Sequence, residues 1–181
     1  MQQRLYKGWF GILAYTFVRS EFEDGQGVLR PSSWDSRHIV SFTAGKKFKK
    51  GWELGWRFQF SGGLPFTPLD EETSLVIENW DVNRAGVPDY SRLNSERINA
   101  FHQLDIRLDK KWFFKKFDLN LFLDIQNIYN QVTPLQPILT VQRDESGNLI
   151  EDPNNQGSYL PRFLDASNGS VLPSIGIILE F

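Results

Sequence analysis

The chain has 181 residues, 40% of them hydrophobic and 23% charged, with no cysteine and a formal net charge of -2. The lack of cysteine excludes disulfides, thiolate catalysis and Cys-ligated zinc, and the near-neutral charge offers no electrostatic footprint for nucleic acid. No apolar run approaches the roughly 18 residues of a transmembrane helix, which leaves β-barrels untouched, because a barrel strand shows lipid only every second residue.

Six strands are expected from period-two alternation and its interruptions. The first runs from Lys7 to Phe22 and leads into a polar loop holding Gly25, Gly27, Pro31 and Ser32. The second, Arg37 to Phe48, meets the third, Trp52 to Ser61, through Lys49, Lys50 and Gly51, a tight hairpin with the glycine left-handed. Residues 62–100 form a long excursion rich in Pro, Asp, Asn and Ser before the fourth strand, Phe101 to Phe113. A short turn at Lys115 and Lys116 gives the fifth, Phe117 to Tyr129. A second excursion, 130–171, carries a small hairpin at Asp144 to Gly147, flanked by Val141 and Ile150, and precedes the last strand, Pro173 to Phe181.

Each strand has two unlike faces. In the third, Trp52, Leu54, Trp56, Phe58 and Phe60 oppose Glu53, Gly55, Arg57, Gln59 and Ser61. In the fourth and fifth, Leu104, Ile106, Leu108 and Trp112, and Leu119, Leu121, Leu123 and Ile125, oppose Asp105, Arg107 and Asp109, and Asn120, Asp124 and Gln126. Leu121 is expected near the midplane of the apolar face. The first strand is ambiguous, since Trp9, Leu13, Tyr15 and Phe17 compete with Phe10, Ile12 and Val18. A hairpin about Lys50 predicts the pairs Phe48–Trp52, Phe42–Phe58 and Lys47–Glu53, and Arg107 is expected to meet Asp124. Lys46 and Lys110 break the apolar faces close to the short turns, where their stems can reach water.

A soluble antiparallel sheet with one buried face gives the same alternation. Against it stand excursions of about forty residues, the lack of an amphipathic helix to cover such a sheet, and the final strand. That strand places Ile175, Ile177 and Leu179 on one face, with Ser174, Gly176 and Glu180 interleaved and Ile178 as the exception, and ends on Phe181. Short connections alternate with long ones, as in outer-membrane barrels with short periplasmic turns and long extracellular loops. If Phe181 lies at the periplasmic end, both short turns fall on the same side, together with the aromatics Phe48, Trp52, Trp112 and Phe117.

Residues 88–130, PDYSRLNSERINAFHQLDIRLDKKWFFKKFDLNLFLDIQNIYN, the segment FSGGLPFTPLD from Phe60 and the closing GSYLPRFLDASNGSVLPSIGIILEF resemble the carboxy-terminal end of TonB-dependent outer-membrane receptors of the Bacteroidetes type. The resemblance covers most of residues 37–181. It implies an all-β fold, an antiparallel transmembrane β-barrel fragment belonging to a barrel of about twenty-two strands around a plug. It also implies TonB-powered uptake of a bulky nutrient such as an iron-siderophore, cobalamin or a glycan, and no enzymatic activity. The final strand, with Ile175, Ile177, Leu179 and Phe181, is then the signal read by the barrel-assembly machinery. The other expected partners are outer-membrane lipid, the TonB complex through a plug, and an extracellular ligand. Met1 to Lys7 carries no signal peptide, so the expectation is that plug, early strands and export signal lie upstream in a longer protein.

Arg57, Asp105, Arg107, Asp109 and Asp124 are expected to face the lumen, packing against a plug rather than forming a substrate track. Trp80, Tyr90, Arg92 and Arg97 are candidate ligand contacts in the long loop, since aromatic and guanidinium groups serve sugars and anionic chelates alike. The alternative is a small self-contained outer-membrane barrel with an enzymatic or adhesive role. It lacks chemistry: the only histidines, His38 and His102, have no positioned serine and acid around them, so no catalytic residue is assigned. The acidic runs Asp70–Glu72 and Asp144–Glu145 do not have EF-hand spacing and are expected as solvated loop acids; no metal or cofactor is expected.

Overall fold

A computed structural model describes residues 2–164 and 166–181. Seven strands form one antiparallel sheet in sequence order: β1 (Gln2–Tyr6), β2 (Trp9–Val18), β3 (Arg37–Lys47), β4 (Trp52–Ser61), β5 (Phe101–Phe113), β6 (Asp118–Gln126) and β7 (Leu172–Glu180). The fold is therefore all-β and antiparallel as expected, with one strand more than the sequence pattern implied. The expected first strand begins instead as a second hairpin, β1 and β2 joined at Lys7 and Gly8, both with positive φ. The same Lys-Gly pair with positive φ turns β3 into β4 at Lys50 and Gly51. The sheet is open, with β1 and β7 as its edges.

Register follows the hydrophobic pattern. Phe42 lies opposite Phe58 and Lys47 opposite Glu53, and Phe48 donates its N–H to the Trp52 carbonyl at 2.8 Å, all as expected. Arg107 lies opposite Asp124. The ambiguity in β2 is resolved by its pairing with β3. Trp9, Leu13, Tyr15 and Phe17 stand beside Lys46, Phe42, Val40 and His38 on the apolar face, while Phe10, Ile12 and Ala14 stand beside Gly45, Thr43 and Ser41 on the other.

The apolar face has nothing packed on it. Ile175 is 75% exposed, and Ile177, Leu179, Leu13, Tyr15 and Phe17 are also open. Only one apolar residue of the sheet, Ala44, is buried among the described residues. The one cluster of buried apolar side chains is instead in the excursions: Leu75, Trp80, Leu139, Val141 and Tyr159.

Those excursions are structured, where sequence reading expected loop. Residues 62–100 fold back through two short ladders, Pro65–Phe66 with Glu96–Arg97 and Leu69–Asp70 with Val87–Pro88. At their tip sit α1 (Glu71–Leu75) and α2 (Ile77–Asn83). Asp70 starts α1, its carboxylate accepting from the Thr73 N–H at 3.0 Å, and Arg84 ends α2 in the left-handed conformation. In the last excursion Ile138–Val141 pairs with Pro161–Leu164. Beyond that ladder the expected small hairpin forms, with Asp144 and Asn148 bonded across it at 2.9 Å. Among the described residues no helix is long and apolar enough to cross a membrane.

Candidate functional site

The polar face of the sheet is concave and lines an open-sided cavity of about 810 Å³. All five residues expected there line it: Arg57, Asp105, Arg107, Asp109 and Asp124. Alternation along β4, β5 and β6 alone brings them together, because one residue in two on adjacent strands shares a face.

The charges are matched locally. Arg57 donates to one Asp105 oxygen from Nε at 3.0 Å and Nη2 at 2.7 Å. The other oxygen accepts from Gln103 Nε2 at 2.7 Å and from the Asn127 N–H at 2.9 Å. The Asp105 side chain is only 7% exposed, so this near-complete set of donors is what keeps a buried carboxylate tolerable. Asn127, left-handed and buried, carries the knot onward: its amide nitrogen donates to the Gln131 and Ser170 carbonyls at 2.9 and 3.3 Å. The two ends of the last excursion are thereby fastened to the rim of the concavity.

Arg107 makes a different bond from the one expected. Although Asp124 is its cross-strand neighbour, both guanidinium contacts, each 2.9 Å, go to Asp109 two residues along the same strand. The reason is aromatic. Arg107 lies over the Phe122 ring at 4.0 Å, and that ring covers the bare backbone of Gly176 on β7, where any Cβ would collide with it. Lying on the ring directs the guanidinium along the strand. Asn120 donates to Asp109 at 2.9 Å, and its buried carbonyl oxygen has no partner among the described residues. Nearer the turns, Lys47 pairs with Glu53 at 3.5 Å, and Lys111 pairs with Asp118 and Glu180 at 3.2 and 2.6 Å.

The four loop candidates do not form one site. Trp80 is 3% exposed and anchors the buried cluster, so it cannot meet a ligand. Arg97 is a strut: its guanidinium donates to the Asp35 carboxylate and carbonyl and, at 2.9 Å, to the Gly63 carbonyl. Arg92 pairs with Glu96. Tyr90 alone presents an open aromatic surface, 71% exposed. A large aromatic in a polar loop reads the same whether it is anchor or contact, and sequence pattern did not separate them.

Other ties join the three excursions. Asn94 Nδ2 donates to the Pro31 carbonyl at 2.7 Å, Gln136 to the Thr67 carbonyl at 3.2 Å, and Tyr159 N–H to the Leu75 carbonyl at 2.9 Å. Asp35 is the electrostatic centre of this layer. Burial pushes its carboxyl up, but the Ser20 N–H, Arg97 and Arg37 outweigh that and hold it below the ordinary value. Asp70 and Asp144 are also held low, by Thr73 and by Asn148 respectively, and these loop acids serve as cap and turn. No cluster of potential metal ligands occurs among the described residues.

His38 and His102 lie on the apolar face near the long-loop end, each bonded through Nδ1 to a tyrosine hydroxyl, Tyr15 at 2.9 Å and Tyr129 at 2.8 Å. Lys46 and Lys110 lie on that face near the short turns. Lys46 sits over Trp9 at 4.3 Å, and Lys110 lies between Trp52 and Trp112 at 5.3 and 5.2 Å. On that face, from β2 to β7, no side chain between the histidine row and the lysine row carries a charge. His38 and Lys46 are eight residues apart on β3, about 27 Å of strand. The expected midplane position, Leu121, stands instead opposite Lys110, at the lysine row, and Ile106 is the central residue. The slip arose because a single strand shows order along its length but not its offset from its neighbours.

Comparison of the chain with protein-family models, curated proteins and solved structures returns no match. What fold and site define is a class: an open antiparallel sheet with one uncovered apolar face and one ion-paired concave face, beneath a packed layer of long loops.

Proposed function

We propose that this chain is the carboxy-terminal wall of a TonB-dependent outer-membrane receptor, a non-enzymatic part of a nutrient importer. The observation that carries the reading is the uncovered face. An apolar band about 27 Å long along the strand, bounded by Lys46 and Lys110 at one edge and His38 and His102 at the other, would stand about 21 Å high at the roughly 40° tilt of such barrels, close to their outward band. In water this face would be a large exposed apolar patch, and in a bilayer it is solvated.

Three features support the remainder. All short turns, at Lys7–Gly8, Lys49–Gly51 and 114–117, lie at the same end of the sheet as Phe181, and all long loops lie at the other. Apart from Asp124, the concave face pairs its charges within itself, as suits a wall packed against a plug. The sheet edges at β1 and β7 call for neighbouring strands, because hydrocarbon offers backbone groups no partner. A self-contained small barrel would have to pair β1 with β7, and nothing in the sheet brings them together. Siderophore, cobalamin and glycan remain equal candidates for the imported nutrient.

Two experiments test this. Expressed in an outer-membrane host within its receptor, the protein lacking Phe181 assembles poorly relative to the intact one. Equal amounts of heat-modifiable barrel in the membrane would refute the assembly role of that residue. The isolated chain requires detergent or lipid to remain dispersed, and a monodisperse solution in plain buffer would end the membrane reading.

A further inference from the structure

The turn end of the sheet has a charge distribution that lipid solvation of the apolar band does not explain. Acidic side chains there, Glu53, Asp118 and Glu180, face the concavity and pair with Lys47 and Lys111. The remaining charges are lysines on the turns or the outward face: Lys7, Lys49, Lys50, Lys115 and Lys116 in the three turns, Lys46 and Lys110 just above them. None of these seven forms an ion pair among the described residues. The ammonium groups of Lys46 and Lys110 are held against indole faces at the polar edge of the band, and Lys110 Nζ also donates one N–H to the Lys50 carbonyl in the turn, which leaves its two other N–H bonds for an anion.

Beside Lys110 the outward face is grooved. A furrow of about 210 Å³ runs between Trp52, Leu108, Trp112, Leu121, Leu123 and Ile175, and Lys110 is among the residues that line it. A cation beside an apolar furrow is complementary to one kind of molecule, an anionic amphiphile whose chain fills the furrow and whose phosphate meets the ammonium.

We propose that the turn-end belt is a binding site for anionic glycerophospholipid, with one acyl chain in the furrow beside Trp52 and Trp112 and the phosphate on Lys110, assisted by Lys46. The proposal rests on the membrane reading above and adds a preference to it. Each lysine near an anionic surface contributes about five-fold in affinity.

Tryptophan fluorescence tests it, using the whole chain refolded in mixed micelles with either phosphatidylglycerol or phosphatidylcholine carrying brominated acyl chains, which quench indoles on contact. Phosphatidylglycerol is expected to quench at about five-fold lower mole fraction or better. The preference should shrink towards unity for the Lys46→Gln/Lys110→Gln variant. It should shrink likewise for the unaltered protein in roughly 0.5 M salt, a measurement independent of whether the variant folds. Trp52→Phe/Trp112→Phe should lose most of the phosphatidylglycerol-specific quenching. Equal quenching by the two lipids at low salt overturns the proposal alone, whereas no quenching by either overturns it together with the membrane reading.

Discussion

The sheet and the loop layer above it solve opposite problems with the same residue types. Above the sheet, Trp80 is buried among Leu75, Leu139, Val141 and Tyr159, a small core of the kind that water imposes. Within the sheet, Trp9, Trp52 and Trp112 stand open beside lysines on a face that no part of the chain covers. The contrast shows that hydrophobicity alone does not locate a core; what decides is whether the chain supplies a second surface. The excursions supply one to each other, and the sheet has none.

Breaking each region separately should therefore leave the other standing. The largest effect is expected from Trp80→Ala, which empties the centre of the loop core and should cost about 3 to 5 kcal/mol of local stability. Limited proteolysis would detect it as rapid cleavage within residues 62–100 and 127–171, with insertion of the sheet unchanged. Next is Ile106→Arg, at the centre of the outward band, expected to cost about 2 to 4 kcal/mol in a bilayer, against roughly 0 to 1 for Leu121→Arg at its edge. Denaturant titration in lipid vesicles measures both, and equal costs would show that the band is not graded by depth.

Asp35→Ala should come third. It leaves the Arg97 guanidinium, partly screened by water, with backbone carbonyls alone, at a cost of about 1 to 3 kcal/mol, read as loosened protection of residues 19–36 and 94–98 in hydrogen exchange. The pH response follows from the same residue. A carboxyl whose folded value is depressed stabilises the fold fully above its ordinary value of 3.8 and loses that contribution as pH falls through the depressed folded value. Loop protection should thus hold from neutral pH down to about 4 and fail only below it, and failure between pH 6 and 7 would implicate other groups. The smallest effect is expected for Tyr90→Ala, within about 0.5 kcal/mol of stability, so under the proposed function a loss of uptake without a loss of stability would report contact with ligand.

Alternation carried most of the sheet. The pairing of Phe42 with Phe58 and of Lys47 with Glu53 could be read because a one-residue slip would turn every apolar side chain to the wrong face. The five charges could be placed on one face for the same reason. Period two gives a face but not a partner, and so Arg107 was matched to Asp124 when the Phe122 ring directs it to Asp109. Strand β1 went unread although Lys7-Gly8 repeats the Lys50-Gly51 turn, since five polar-rich residues offer no alternation to count. The loop layer was least legible. Its core draws five residues from two segments more than fifty positions apart, a convergence that no local period encodes.

The bonds tying the three excursions together also bear on how strangers are received. Arg97 on Asp35, Asn94 on Pro31 and Tyr159 on Leu75 freeze the outer surface during folding, at roughly 1 to 2 kcal/mol of backbone entropy per residue. A molecule arriving at that surface meets a mould rather than a tentacle. Its binding should show a heat-capacity change set by the area it covers, without the larger one that accompanies a segment folding around its guest.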